Sequence, residues 1–270
     1  MSIDVSVRTG HPASVWLAQL RPRPDRPHGR VVMLPHSGAG PNTLLPVAAR
    51  IPDRYEVVGV TLPGRERRFG EAPEIGPQAL VAELLDELAA LPPLPTVLFG
   101  HSLGASAAVA LAQASPQVCA ALVLSAQSPG GSLATRREEW PDSALRDLLA
   151  LGGGTSAAIL DDPVWRNHVL TVLRADVLLS RRLAERIPER PVTHRITVLG
   201  GADDLLLPAA ELDAWQDHAL HETRVRVFPG GHFYLFDEHN AAEVAAEIAA
   251  AFPATVAPTR TCPVSKEGSS

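Results

Sequence analysis

Cysteine, basic charge and long apolar runs are all scarce in this sequence. Its 270 residues include 2 cysteines, Cys119 in an apolar stretch and Cys262 near the C terminus, so we expect neither a disulfide framework nor a metal cluster. No run approaches the roughly 18 apolar residues of a membrane span, and residues 1–20 lack the basic and apolar segments of a secretory signal. These absences predict an unexported cytoplasmic protein that does not enter a membrane.

Acidic residues outnumber basic ones. The 24 Lys and Arg residues against 30 Asp and Glu residues give a formal net charge of −6, which argues against non-specific binding to nucleic acid. Apolar residues, by contrast, make up 46% of the chain, enough for the core of one large domain. We find no cofactor-binding string and no metal-ligand spacing, so no cofactor and no metal are expected.

Short apolar runs alternate with helical patterns along most of the chain. Val31–Leu34 is a continuous apolar run typical of a central parallel strand. Comparable runs begin near Tyr55, Pro95, Ala120, His194 and Thr223. Helices are predicted from about Pro41 to Arg50, from Gln78 to Leu91 and from Pro208 to about His218. The alternation predicts an α/β fold with a mostly parallel central sheet and helices on both faces.

The alternation is interrupted between about residues 127 and 190, where we find only helical patterns. An all-helical insertion that starts at the carboxyl end of a strand is typical of a lid over an active site, and an additional packing layer without gating is the alternative. Beyond Phe252 the chain is rich in proline, serine, threonine and charge. We therefore expect one domain over residues 1–252 and a disordered tail over residues 253–270.

The segment Gly100-His101-Ser102-Leu103-Gly104 joins an apolar strand to a helix of small residues. Its two glycines allow the sharp turn of a nucleophile elbow, which exposes the serine hydroxyl at the top of the sheet. Ser102 is therefore the candidate nucleophile, and the Leu103 amide is a candidate oxyanion donor. We assign a second donor to the amide of Ser37, in the small-residue loop after Val31–Leu34. Ordinary glycine-rich turns are the alternative for both segments.

The candidate base is His232. A serine nucleophile needs a histidine as base and a carboxylate as acid. In folds with a nucleophile elbow, the carboxylate follows the serine in the chain and the histidine follows the carboxylate. Among the histidines beyond the elbow and outside the insertion, only His232 stands in a glycine-rich loop at the carboxyl end of a strand. The adjacent Asp203 and Asp204 are candidates for the acid, and spacing does not choose between them. Asp237 is a further candidate, although its place suits a cap of the last helix.

Four blocks of this sequence resemble a known family. They are Leu34-Pro35-His36-Ser37-Gly38, Leu62-Pro63-Gly64-Arg65-Glu66 with Arg68-Phe69-Gly70-Glu71, Gly100-His101-Ser102-Leu103-Gly104-Ala105, and Gly230-Gly231-His232-Phe233-Tyr234-Leu235. From about Trp16 to Phe252 the chain is similar to type II thioesterases, the stand-alone α/β-hydrolases encoded with polyketide synthases and non-ribosomal peptide synthetases. The resemblance implies an α/β-hydrolase fold and hydrolysis of acyl thioesters held on the phosphopantetheine arm of acyl or peptidyl carrier proteins.

The resemblance also implies roles for single residues. It carries over to Ser102 as nucleophile and His232 as base. The family pattern Gly-Gly-x-x-Asp-Pro, aligned on Gly200 and Gly201, selects Asp204 as the acid. Leu205 stands where that pattern has proline, so Asp203 stays a candidate. Ser37 replaces the usual alanine, which leaves its backbone amide unaffected.

Partner docking and substrate fit are further expectations. Arg65, Arg67 and Arg68 are candidates for docking an acidic carrier protein, with solvated surface arginines as the alternative. The helical insertion, including Trp165, is expected to form the acyl chamber. The alternative functions are a carboxylesterase or lipase acting on small free esters and a non-catalytic interaction protein with a hydrolase fold.

Overall fold

The structure of the protein is a computed structural model, which describes residues 14–132, 137, 139–152 and 161–253. Seven strands form one sheet in the order β1-β3-β2-β4-β5-β6-β7. They are β1 (Leu17–Gln19), β2 (Gly29–Leu34), β3 (Tyr55–Val60), β4 (Thr96–His101), β5 (Ala121–Ser125), β6 (Arg195–Gly201) and β7 (Arg224–Phe228). Only β1 pairs antiparallel, with β3, so the predicted mostly parallel sheet is confirmed.

Six α-helices accompany the sheet in the described ranges: α1 (Leu45–Ala48), α2 (Pro77–Ala89), α3 (Leu103–Ala114), α4 (Asp142–Gly152), α5 (Pro163–Ala184) and α6 (Glu238–Ala250). The segment Ala209–His218, predicted as an ordinary helix, is a 3₁₀-helix. Its buried Leu212 and Trp215 are three residues apart, the spacing that lines up one face of a helix with three residues per turn. None of the helices we describe is both long enough and apolar enough to cross a lipid bilayer.

Two apolar layers cover the two faces of the sheet. On β2, Val32 and Leu34 belong to the layer that also contains residues of α2, α3 and α5. The alternate residues Val31 and Met33 belong to the layer that contains residues of α1 and α6. Because successive side chains of a strand point to opposite faces, both of which are covered here, the central strands are continuous apolar runs.

The insertion between β5 and β6 contains α4 and α5 and no strand within the residues described. The two helices share a small apolar cluster of Leu145, Leu170, Leu173 and Val177. Helix α5 starts after Asp162, whose carboxylate accepts hydrogen bonds from the Val164 and Trp165 N–H groups and caps the helix. Further along α5, Leu179 and Leu183 join the main core. The insertion is therefore packed onto the sheet domain, and its action as a lid stays a prediction. Of the proposed tail, only Pro253 lies within the described residues.

Candidate active site

The register of the sheet aligns the strand ends from which the candidate residues emerge. Leu34 of β2 pairs with Gly100 of β4, and His101 of β4 pairs with Ser125 of β5. At the other end of the sheet order, Gly201 of β6 pairs with Phe228 of β7. The loops after β2, β4, β6 and β7 therefore all leave from the carboxyl ends of the strands, which is where open α/β sheets bind their ligands.

Ser102 occupies a strained turn between β4 and α3. Its backbone has φ +54° and ψ −117°, a conformation that L-residues rarely adopt. A Cβ on Gly104 would lie 2.0 Å from the Leu34 carbonyl oxygen, and one on Gly100 would lie 2.2 Å from the Gly104 carbonyl oxygen. The turn thus has the tight geometry of a nucleophile elbow, and both flanking positions require glycine.

His232 and Asp204 form a buried hydrogen-bonded pair. The distance from His232 Nδ1 to Asp204 Oδ2 is 2.8 Å. The other carboxylate oxygen of Asp204 accepts from the Leu206 and Leu207 N–H groups at 2.8 and 3.1 Å, which fixes the carboxylate orientation. Asp203, in contrast, is exposed. Of the two adjacent carboxylates, it is Asp204 that contacts the imidazole.

The His232 ring lies beside the elbow. Its centroid is 5.1 Å from that of His101, the residue that directly precedes Ser102. The loops after β6 and β7 also approach closely, since a Cβ on Gly201 would lie 2.3 Å from the Gly231 carbonyl oxygen. Because Nδ1 faces Asp204, the Nε2 atom of His232 is the ring nitrogen left for a reacting group.

Asp237, the further candidate for the acid, is used elsewhere. Its carboxylate accepts hydrogen bonds from the His239 and Asn240 N–H groups and caps α6. This is the role that its position before the last helix predicts.

The segments that contain the two candidate oxyanion amides pack against each other. Leu103 is the first residue of α3, so its N–H has no acceptor within the helix. In the part of the chain that the structure describes, no acceptor is found for the Ser37 N–H either. The loop that contains Ser37 packs against the start of α3, because a Cβ on Gly104 would also lie 2.8 Å from the Pro35 carbonyl oxygen. This arrangement suits an oxyanion hole.

Two further histidines lie around His232. Burial, followed by the charges of His232 and Arg65, lowers the pKa of His36 to about 3. Burial, followed by His232 and His36, also lowers the pKa of His101 well below its usual range. Both imidazoles are therefore neutral at physiological pH, and each has one buried ring nitrogen without a partner among the described residues.

A hydrogen-bond chain links the elbow to the loop of His232. The distances are 2.8 Å from His101 Nδ1 to Ser125 Oγ and 2.7 Å from Ser125 Oγ to the Tyr234 hydroxyl. Burial raises the pKa of Tyr234, so the phenol is protonated. These hydrogen bonds connect His101, which precedes Ser102, with Tyr234, which lies two residues after His232. The sequence analysis did not predict them.

The expected docking arginines are mostly buried. The side chain of Arg65 forms a bidentate ion pair with Asp176 of α5, with N···O distances of 2.5 and 2.8 Å. Arg68 donates to the Thr61 carbonyl oxygen and to the Glu71 carboxylate. The docking prediction is therefore wrong for Arg65 and Arg68, because neither guanidinium is accessible to a partner, whereas Arg67 is exposed.

Sequence reasoning also missed Asp176. The signal that could have indicated it is an acid on the buried face of α5, three or four residues from Val172, Leu173 and Ser180, which are all buried. Trp165, expected in an acyl chamber, is 49% exposed, and its ring centroid is 5.7 Å from that of Phe69. Its part in such a chamber stays a prediction.

The sheet order, the elbow and the helical insertion define a protein of the α/β-hydrolase fold. The thioesterase domain family model matches residues 29–252. The chain therefore belongs to the thioesterase domain family, which is a family of thioester hydrolases.

Curated relatives and solved structures agree with this membership. A probable cadicidin biosynthesis thioesterase of Streptomyces griseus is 33% identical over 232 residues, 83% of this chain and 62% of that protein. The gramicidin S biosynthesis protein GrsT of Aneurinibacillus migulanus is 27% identical over 214 residues, 77% of this chain and 83% of that protein. The structure of BorB, a type II thioesterase from the borrelidin biosynthetic cluster, superposes with a TM-score of 0.72 at 30% identity, covering 89% of this chain and 100% of that one.

Proposed function

We propose that the protein hydrolyses acyl thioesters with Ser102 as nucleophile, His232 as base and Asp204 as the acid that orients the base. The observation that carries the proposal is the 2.8 Å contact between His232 Nδ1 and Asp204 Oδ2, in a loop beside the strained Ser102. Membership of the thioesterase domain family supports the choice of a thioester over other acyl compounds.

In the first half of the reaction, His232 Nε2 accepts the Ser102 hydroxyl proton while Ser102 Oγ attacks the thioester carbonyl carbon. The carbonyl oxygen becomes an oxyanion, which the Ser37 and Leu103 N–H groups stabilise. The C–S bond then breaks, and the proton on His232 passes to the departing thiolate. The products of this half are a free thiol and an acyl ester on Ser102.

In the second half, water replaces the serine oxygen. His232 removes a proton from the attacking water, and a second oxyanion forms in the same amide pair. Collapse of this intermediate breaks the bond to Ser102 Oγ, which receives the proton from His232. The carboxylic acid product is released and the enzyme returns to its starting state.

The substrate we propose is an acyl or peptidyl chain on the phosphopantetheine arm of a carrier protein, in the cytoplasm. The thiol that this arm provides is the leaving group that the first half of the reaction requires. Relatives named for cadicidin and gramicidin S biosynthesis, and the borrelidin-cluster neighbour, support a place in polyketide or non-ribosomal peptide synthesis.

The test is capture of the acyl-enzyme on Ser102. Wild-type protein mixed with acyl-carrier proteins that bear different chains should gain the mass of the acyl group on Ser102 and release free carrier thiol. Ser102→Ala should gain no mass and should lose turnover by at least about 10³-fold, because no nucleophile remains. Unchanged turnover in Ser102→Ala would refute the nucleophile.

A nitrophenyl ester of the same acyl group separates thioesterase from esterase activity. We expect kcat/KM to be higher for the carrier-bound thioester than for the free ester. The reverse order would indicate a carboxylesterase or lipase. Failure of a fluorophosphonate to label Ser102, together with no turnover of either substrate, would indicate a non-catalytic protein.

A further inference from the structure

The carboxylate of Asp176 connects the helical insertion to the loop that contains Ser37. Asp176 lies on α5 and is only 1% exposed. Its Oδ2 atom accepts a hydrogen bond from the Gly38 N–H at 2.6 Å and another from Arg65 Nη1 at 2.5 Å. Its Oδ1 atom accepts from Arg65 Nη2 at 2.8 Å. Asp176 thus holds the residue that directly follows Ser37.

Arg65 orients this carboxylate and places a positive charge against it. Its guanidinium also donates to the Pro63 carbonyl oxygen at 3.1 Å and to the Ala39 carbonyl oxygen at 3.3 Å, so backbone on two sides holds it in place. The bidentate pair offsets the negative charge of Asp176, which would otherwise disfavour an oxyanion formed nearby.

The hydrogen bond that the Gly38 N–H donates to Asp176 restricts the backbone at Ser37. The Ser37 carbonyl and the Gly38 N–H belong to one planar peptide unit, so anchoring that unit removes rotation next to Ser37. Gly38 itself has φ +82° and no side chain with which to hold the loop. The Leu173 side chain of α5 covers this position, at 3.7 Å from where a Cβ on Gly38 would lie.

We propose that Asp176 is a positioning residue for the oxyanion hole: by anchoring the Gly38 N–H, it holds the Ser37 amide where the thioester oxygen becomes negative. This inference rests on the proposed function, since it assigns a role within the same reaction. It also gives the insertion a part in the chemical step that does not depend on opening or closing.

The main test variant is the double substitution Asp176→Leu with Arg65→Met. Removing one member of a buried ion pair destabilises a protein strongly, whereas replacing both by apolar residues is often neutral. The double variant should therefore fold, as judged by its Tm, but lack the anchor of Gly38. Should it fail to fold, Asp176→Ala with Arg65→Gln takes its place, because it also leaves neither buried charge.

Three measurements separate positioning from a general loss of structure. With an acyl-pantetheine thioester, kcat should fall by about 10² to 10³-fold, the cost of losing one oxyanion donor, while KM stays within about threefold. An acyl trifluoromethyl ketone, which forms an oxyanion on Ser102, should bind more weakly by a similar factor. A non-hydrolysable acyl-pantetheine thioether, which forms none, should bind within about threefold of wild type.

Two further variants serve as controls. Asp176→Asn combined with Arg65→Gln leaves no buried charge and keeps an oxygen that can accept from the Gly38 N–H, so it should lose less than about tenfold in kcat. Asp162→Asn, at the cap of the same helix, removes a charge far from the loop and should leave kcat within about threefold, because asparagine is also a good cap.

The outcomes distinguish this inference from the proposed function. Loss of turnover in Ser102→Ala combined with wild-type kcat in the folded double variant would overturn only the role of Asp176. Equal losses in ketone and thioether binding would also overturn it, since they indicate a distorted site. Turnover that survives in Ser102→Ala would overturn the proposed function itself.

Discussion

The pairing of His232 with Asp204 gives the adjacent Asp203 a direct use as a control. Asp204→Asn should keep the fold, because an amide oxygen can still accept from the Leu206 and Leu207 N–H groups. It should nevertheless lower kcat by about 10⁴-fold, since an amide favours the wrong tautomer of the imidazole and does not stabilise its charged form.

The measurement is steady-state thioester hydrolysis, with thermal unfolding to verify the fold. Asp203→Asn should leave kcat within about threefold, because that side chain is exposed and is not the partner of the imidazole. A larger loss of kcat in Asp203→Asn than in Asp204→Asn would show that Asp203, and not Asp204, is the acid.

Local patterns indicated candidate residues that lie at strand ends, but they did not indicate Asp176, whose contacts are distant in the sequence. Ser102 and His232 are marked by glycines that serve their own turns, so a short window of sequence is enough to find them. The partner of Asp176 is Arg65, 111 positions earlier in the chain, and no local pattern reports a contact of that kind. Spacing left Asp203 and Asp204 undecided, because only the direction of the chain after β6 determines which carboxylate reaches the imidazole.

Glycine at position 104 allows α3 to pack closely against the end of β2. Gly104→Ala would place a Cβ 2.0 Å from the Leu34 carbonyl oxygen, and backbone on both sides would have to move. The expected cost is about 2 kcal/mol or more in unfolding free energy, although alanine favours helix over glycine by about 1 kcal/mol.

Urea unfolding followed by circular dichroism measures this difference. Gly70→Ala is the matched control, since a Cβ there would meet no atom within 4 Å. Its unfolding free energy should stay within about 0.5 kcal/mol of wild type, as for most surface substitutions. Equal effects at the two positions would show that contact between α3 and β2 is not what requires glycine at position 104.

Elements with a strong apolar period were predicted closely, and the two that differ have identifiable causes. Helix α2, with leucines at helical spacing, begins at Pro77 and ends at Ala89, within two residues of the predicted bounds. The segment after β2, predicted as one helix over residues 41–50, is a 3₁₀-helix (Pro41–Leu44) followed by the short α1. Pro46 lies at the start of α1, where it provides no N–H to continue the preceding turn.

The architecture of the whole chain followed from the order of elements, because parallel strands need crossovers and both faces of such a sheet must be covered. The antiparallel direction of β1 could not be predicted from that order, because the sequence of a three-residue strand at the edge of a sheet does not indicate how it pairs. Likewise, the packing of α5 onto the loop after β2 depends on contacts between the insertion and the sheet domain that only the assembled fold brings together.

Two neutral histidines packed around the elbow make global stability depend on pH. The folded state lowers the pKa of His36 from 6.5 to about 3 and lowers that of His101 well below 6.5, chiefly through burial. Below about pH 6.5 the unfolded chain therefore binds protons that the folded chain does not. Stability from these groups is complete above that pH and is lost as the pH falls from there toward the folded pKa values.

His36→Phe tests this dependence, because phenylalanine can keep ring contacts with Phe233 and Phe236 but does not titrate. Between about pH 4 and 6, unfolding free energy should fall less steeply in this variant than in wild type, by about 1.4 kcal/mol per pH unit. Urea unfolding at several pH values measures both slopes. Phe236→Leu, which disturbs the same packing and leaves the imidazole in place, should lower stability by a constant amount and keep the wild-type slope. Parallel curves for wild type and His36→Phe would mean that His36 binds its proton equally well in the folded and unfolded chain.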